Sequence, residues 1–246
     1  MRSLVHYLPI VTTLVAIPFM VVLWRHWRQK PSSLYLLWWT IGVATYAVGT
    51  LTESLTTLMG WNPVVFKSWY ISGALLGGAP LAQGTVYLLM SRRKAHLLTV
   101  ALCSFIIMAA VFVTLSPIDR ALVETYRLSG SVLEWQWVRA FSPFINTYAV
   151  IFLVGGALVS AWKYAREDRS YRARMWGNVF IAVGAILPGI GGASARAGHV
   201  EVLYVTELLG LSLIWLGYRT IVNDRVVSVH ANQRPVAVET GGLNRD

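Results

Sequence analysis

Two glutamates sit where an ionisable side chain is costly. Glu53 falls inside the apolar stretch 34–57 and Glu207 inside 200–221. A charge at the centre of a bilayer costs about 2.5 kcal/mol or more, so such residues usually face a bundle interior and mark function. Helical steps of four, three and four place Glu53 on one face with Gly42, Tyr46 and Gly49, and steps of three, four and three place Glu207 on one face with Gly210, Ile214 and Gly217. Glycine-lined faces are where membrane helices approach closely. Both acids are therefore expected to point into the bundle. Glu207 should lie about 10 Å below the outer boundary at a rise of 1.5 Å per residue, with Glu53 nearer the surface.

Three roles are open to these acids. Lys67 enters the next stretch at a similar height with Tyr70 on the same side, and Arg196 stands just before 200–221. Glu53–Lys67 or Glu207–Arg196 pairs would neutralise charge and fix register. A ligand-binding or ion-coupling role would recruit Tyr46, Tyr70, Lys67 and Arg196 around Glu53 and Glu207. An outward, solvated position is the third. Unpaired, either acid could carry a proton.

Other chemistry is thinly represented. His6, His199 and Glu201 all belong at the outer end and form a weak metal or pH-sensing candidate, but no His-x-x-x-His or His-Glu-x-x-His spacing supports it. No two histidines lie at matched depth inside a span, which removes bis-histidine haem. The single cysteine, Cys103, removes an intramolecular disulfide and cysteine-clustered metal sites. No cofactor is expected. Residues 188–196, Pro-Gly-Ile-Gly-Gly-Ala-Ser-Ala-Arg, lack the Gly-Lys-Ser/Thr ending of a phosphate loop. They read instead as a helix break bordering a pocket. Gln83, Asn146 and Asn178 are expected to hold helices together.

The elements that must position these groups follow from composition. Of 246 residues, 56% are hydrophobic and 13% charged, with 11 Trp and a mean hydropathy of +0.56. Soluble domains carry about 25% charged residues, so the class is a membrane protein. Apolar stretches at 8–24, 34–57, 64–90, 97–115, 142–162, 175–190 and 200–221 predict an all-α bundle of seven transmembrane helices. Residues 1–223 form one domain and 224–246 a flexible cytoplasmic tail. Of the 21 Lys and Arg, 15 fall on one side of the membrane, 14 of them after spans one, three, five and seven and Arg219 in the last turn of span seven. That asymmetry places the N-terminus outside and the C-terminus in the cytoplasm, and makes the +10 charge a topology signal and not a nucleic-acid surface. Trp24-Arg-His-Trp follows the first span where a small-residue cleavage site would be needed, so a retained first helix is expected. The stretch 66–93, with Gly73, Gly77, Pro80 and Gly84 on one face, reads as a central packing helix. The long connection 116–139 suits a hairpin around Ser129-Gly130 or an interfacial helix anchored by Trp135 and Trp137.

An internal repeat is suggested by matched spacings. Trp24 and Trp38 are 14 apart, as are Trp162 and Trp176. Leu75-Leu-Gly77 with Gly84 matches Leu208-Leu-Gly210 with Gly217, and Arg92 then aligns with Arg225. In topology this resembles the parallel three-plus-one-plus-three layout of SWEET sugar transporters and of vitamin transporters of the nicotinamide-riboside type. The Pro-Gln dipeptide of their PQ-loop relatives is missing, so no substrate carries over. The W-Y-x-x-G-A-x-L and G-x-x-Y-L-L patterns of 69–89 are similar to uncharacterised bacterial seven-helix membrane proteins, which imply class alone. Span seven holds no lysine for a retinal Schiff base. These readings favour a small-solute transporter of the bacterial inner membrane, with a pocket in the outer half. A heptahelical sensor acting through a cytoplasmic partner is the alternative, and a homo-oligomer is compatible with either. A membrane-embedded enzyme ranks last, since no span contains an Asp.

Overall fold

Helices account for nearly every apolar stretch. The computed structural model describes the backbone of residues 4–232 and side chains through 224. A 3-10 turn, Leu4–Tyr7, leads into α1 (Leu8–Gln29), and α2 spans Leu34–Met59. Then come α3 (Pro63–Trp69), a π-helical turn (Tyr70–Leu75), α4 (Ala79–Leu89) and α5 (Arg92–Leu115). Past the outer connection lie α6 (Phe141–Ala149), a second π turn (Val150–Val154), α7 (Gly155–Ala165), α8 (Arg172–Arg196) and α9 (Val200–Asn232). Among the described residues six helical segments are long and apolar enough to cross a membrane. The expected third span is not one of them, because it is interrupted. The flexible tail expected from 224 is helical to Asn232; residues beyond that lie outside the described region.

The interruption falls at 76–78, inside the stretch expected to be a continuous packing helix. Gly77 takes φ +45°, a conformation that costs glycine little and other residues much. Pro80 sits in the first turn of α4, where its missing N–H has no intrahelical partner to lose. Asn146 of α6 fills the gap. A Cβ on Gly77 would lie 2.5 Å from its Oδ1, and its Nδ2 donates to Ala74 O at 3.5 Å. The side chain thus serves a carbonyl next to the break, as hydrocarbon depth requires of any unwound backbone. The segment is nonetheless central. α4 buries Ala79, Pro80, Leu81, Ala82, Gln83 and Gly84 between α2, α5, α6 and α7. Gln83 donates to Ala95 O (3.1 Å) and Thr99 Oγ1 (2.8 Å) and accepts from the Tyr148 hydroxyl, tying α4 to α5 and α6.

The break expected at 191–198 does not form. α8 runs through Pro188 to Arg196, and the chain turns at Gly198, φ +103°. Gly177, Gly184 and Gly191, spaced by seven, bring α8 against the backbone of α9. A Cβ on Gly184 would meet Gly210 O at 2.6 Å, and one on Gly210 would meet Gly184 O at 2.7 Å. Gly177 and Gly217 face each other in the same way, at 2.9 and 2.4 Å. The N–H that Pro188 lacks is the one that would bond Gly184 O. That carbonyl lies against Gly210 instead, so the proline sits where α8 and α9 meet backbone to backbone.

The outer connection is neither hairpin nor interfacial helix. It folds into a cap of short 3-10 turns with isolated bridges at Ile118–Leu133 and Glu124–Arg127, and no strand forms among the described residues. Leu128, Val132, Leu133 and Val138 are buried against Phe66, Tyr70 and Val113. Local pairing loses here because burying these apolar side chains on the bundle end stabilises each by roughly 1.5–3 kcal/mol. Elsewhere large apolar side chains point outward, as on α5 with Leu97, Val100, Ile107 and Val111. Such a surface is natural against lipid and not against water. The matched repeat stretches differ locally, since Gly77 sits in a break and Gly210 in a continuous helix.

Candidate functional site

α2 and α9 deliver the two acids to one place. The buried Glu53 side chain and the Glu207 carboxyl lie side by side, close enough to interact directly. The Tyr46 hydroxyl donates to the Glu207 backbone carbonyl at 2.9 Å, which fixes the rotation of α9 against α2. Trp69 Nε1 donates to Glu53 Oε1 at 2.8 Å. Glu53 Oε2 and Glu207 Oε2 are shut off from solvent and have no hydrogen-bond partner among the described residues. Tyr204, also buried, lies one turn before Glu207 on the same face of α9.

The expected ion pairs are absent among the described residues. Lys67 turns to the cap, donating to Thr114 O (2.6 Å) and Ser116 O (3.1 Å). It and Trp69 are two residues apart on a helix, on roughly opposite faces at 100° per residue, so only one of them can meet Glu53. Tyr70 packs under the cap beside Phe66 and Leu133. Arg196 is exposed at the end of α8. Of the five residues weighed with Glu53, the structure keeps Glu207 and Tyr46 and sends Lys67, Tyr70 and Arg196 elsewhere. The site residues that sequence reasoning passed over are Trp69 and Tyr204. Tyr204 carried a legible signal, since it precedes Glu207 by three positions. Trp69 carried none beyond being an aromatic with an N–H near the outer end.

His6 approaches Glu201 at 4.0 Å and packs edge-on to Tyr204. His199 is exposed, and no group of three metal-ligating side chains gathers among the described residues. The weak metal candidate is therefore not assembled: His199 and Glu201 flank the start of α9 on different faces.

A cavity of about 310 Å³ opens at the opposite, basic end of the bundle. It lies between α1, α2, α4, α7, α8 and α9, with Lys30, Trp39, Asn178 and Tyr218 in its wall. At the other end, the half in which a pocket was expected, the cap packs over Phe66, Tyr70 and Val113. Between the acids and the cavity α9 places Leu211 and Ile214, both buried, with Phe19 stacked on Trp215 at 5.4 Å. Glu207 and Tyr218 are separated by about 16 Å of helix rise. Compared with known proteins, the chain matches no family profile, no curated protein and no solved structure.

Proposed function

We propose that this multi-pass membrane protein is a small-solute transporter in which Glu53 and Glu207 hold the coupling proton. The carrying observation is that the Glu53 and Glu207 carboxyl groups lie side by side, each with an oxygen shut off from solvent, and that neither forms an ion pair among the described residues. A carboxylate only accepts hydrogen bonds, so two such groups bond each other only when one carries a proton. Adding a second negative charge at that place, out of water, would be strongly unfavourable. Gaining or losing that proton therefore changes how α2 and α9 hold together.

Two further features support the reading. The interrupted α3–α4 segment, with polar side chains at its break, is of the kind that borders substrate sites in transporters. An apolar layer two turns thick separates the acids from the inner cavity, so the two are not joined by one open path. The reading takes α3 through α4 as the third of seven spans, with the N-terminus outside and the chain in a bacterial inner membrane. Pro63–Leu89 would be about 40 Å long as helix, enough to cross a core of about 30 Å.

The test is proteoliposomes containing the purified chain and an internal pH dye, challenged with panels of sugars, amino acids and nucleosides. At least one class should drive proton movement, and Glu207→Gln should abolish it while the protein remains folded. Proton movement that survives both Glu207→Gln and Glu53→Gln would overturn the proposal.

A further inference from the structure

The basic-end cavity takes no part in the proton site, yet its lining is selective. Its volume of about 310 Å³ stands at the lower end of small-molecule sites. Leu36, Trp39, Leu88 and Ile181 give it apolar walls. The polar side chains reaching it, those of Lys30, His26, Tyr35, Thr85, Asn178 and Tyr218, include a cation and no carboxylate. Lys30 at the end of α1 supplies an ammonium, His26 Nδ1 and the Tyr218 hydroxyl are joined at 2.6 Å, and Asn178 uses its Nδ2 on Arg174 O at 2.7 Å. Among the described residues no Asp or Glu lines it. A cationic ligand would find no counter-charge, whereas an anionic head would meet Lys30 at the rim with its body against the indole of Trp39.

We infer that this cavity binds a compact amphiphile with a single anionic head, a carboxylate or phosphate on an apolar or aromatic body. Lys30 is exposed, and Leu36, Trp39 and Ile181 of the apolar wall are buried. The head therefore sits at the level of the lipid headgroups and the body lies inside the bundle. Binding is a matter of shape and one charge-assisted hydrogen bond. Such a ligand arrives either from the aqueous phase or from an anionic lipid of the adjoining leaflet. The site stands independently of the proton pair, about three helical turns away along α9.

The experiment uses the full chain in phosphatidylcholine nanodiscs, with empty discs subtracted, and follows tryptophan fluorescence. 1-Naphthylacetate should bind saturably, and its neutral counterpart 1-naphthaleneethanol at least about tenfold more weakly. Lys30→Ala should lower naphthylacetate affinity about tenfold, and Lys30→Arg should restore most of it. Because Lys30 is exposed, both variants should fold. Competition when phosphatidylglycerol replaces part of the phosphatidylcholine identifies the leaflet as the source, and undiminished binding identifies the aqueous phase. Equal binding of acid and alcohol, or no effect of Lys30→Ala, would overturn the site whatever the outcome of the proton measurements.

Discussion

Trp69 holds the place beside Glu53 that an ion pair with Lys67 would have taken, by a different kind of interaction. An indole N–H satisfies one carboxyl oxygen without adding a charge, as the proposed proton site requires. A lysine at that place would have held a permanent ion pair. Trp69→Phe keeps an aromatic ring, whose packing against Phe66 and Tyr70 is extensive, and deletes the donor. It should lower stability by about 1 kcal/mol, read as a lower midpoint in thermal unfolding of the detergent-solubilised protein. An unchanged midpoint would mean that the bond contributes nothing net.

At the scale of elements, glycine has two uses here, and they respond oppositely to the same substitution. Gly217 and Gly184 let α8 and α9 touch backbone to backbone. Gly217→Ala forces a Cβ to within 2.4 Å of Gly177 O, and separating the helices should cost about 1–3 kcal/mol. Gly189 lies on the same α8, but a Cβ added there would meet nothing within 4 Å. Gly189→Ala should be neutral or stabilising by up to about 1 kcal/mol, through helix propensity alone. Chemical unfolding of the two variants side by side checks both signs. The same logic explains why the Gly-rich stretch 188–196 stays helical. In lipid an unwound backbone finds no water, and Gly191 is needed small because Thr206 and Leu203 of α9 lie against it.

At the scale of the whole molecule, the interrupted third segment decides the topology. Met59, 82% exposed, precedes α3, and the exposed Lys94 follows α4. If the segment crosses, a membrane-impermeant maleimide should label Met59→Cys from outside intact cells and Lys94→Cys only after permeabilisation, in a Cys103→Ser background. Labelling of both from one side would make α3–α4 a re-entrant hairpin and leave six crossings. The lateral order follows from the packing: α8 lies against α9, α9 against α1, α1 against α2, and α2 against α4. That order brings α2 and α9, the carriers of the two acids, to the same interior.

What the sequence determined by itself is what depends on local pattern. Hydropathy and length mark the helices, charge asymmetry marks their basic ends, and the register of Glu53 and Glu207 against glycines turns both acids inward. Two further features were written there as well: the Gly77-Gly78-Ala79-Pro80 stop and restart, and the seven-residue spacing of Gly177, Gly184 and Gly191. Only the tertiary structure decided which side chain meets Glu53, that the outer connection closes over the bundle, and that the cavity opens at the basic end. Those depend on how far each helix is rotated and displaced against its neighbours. Periodicity places a residue on a face, but Trp69 and Glu207, far from Glu53 along the chain, reach it only through packing over the entire bundle.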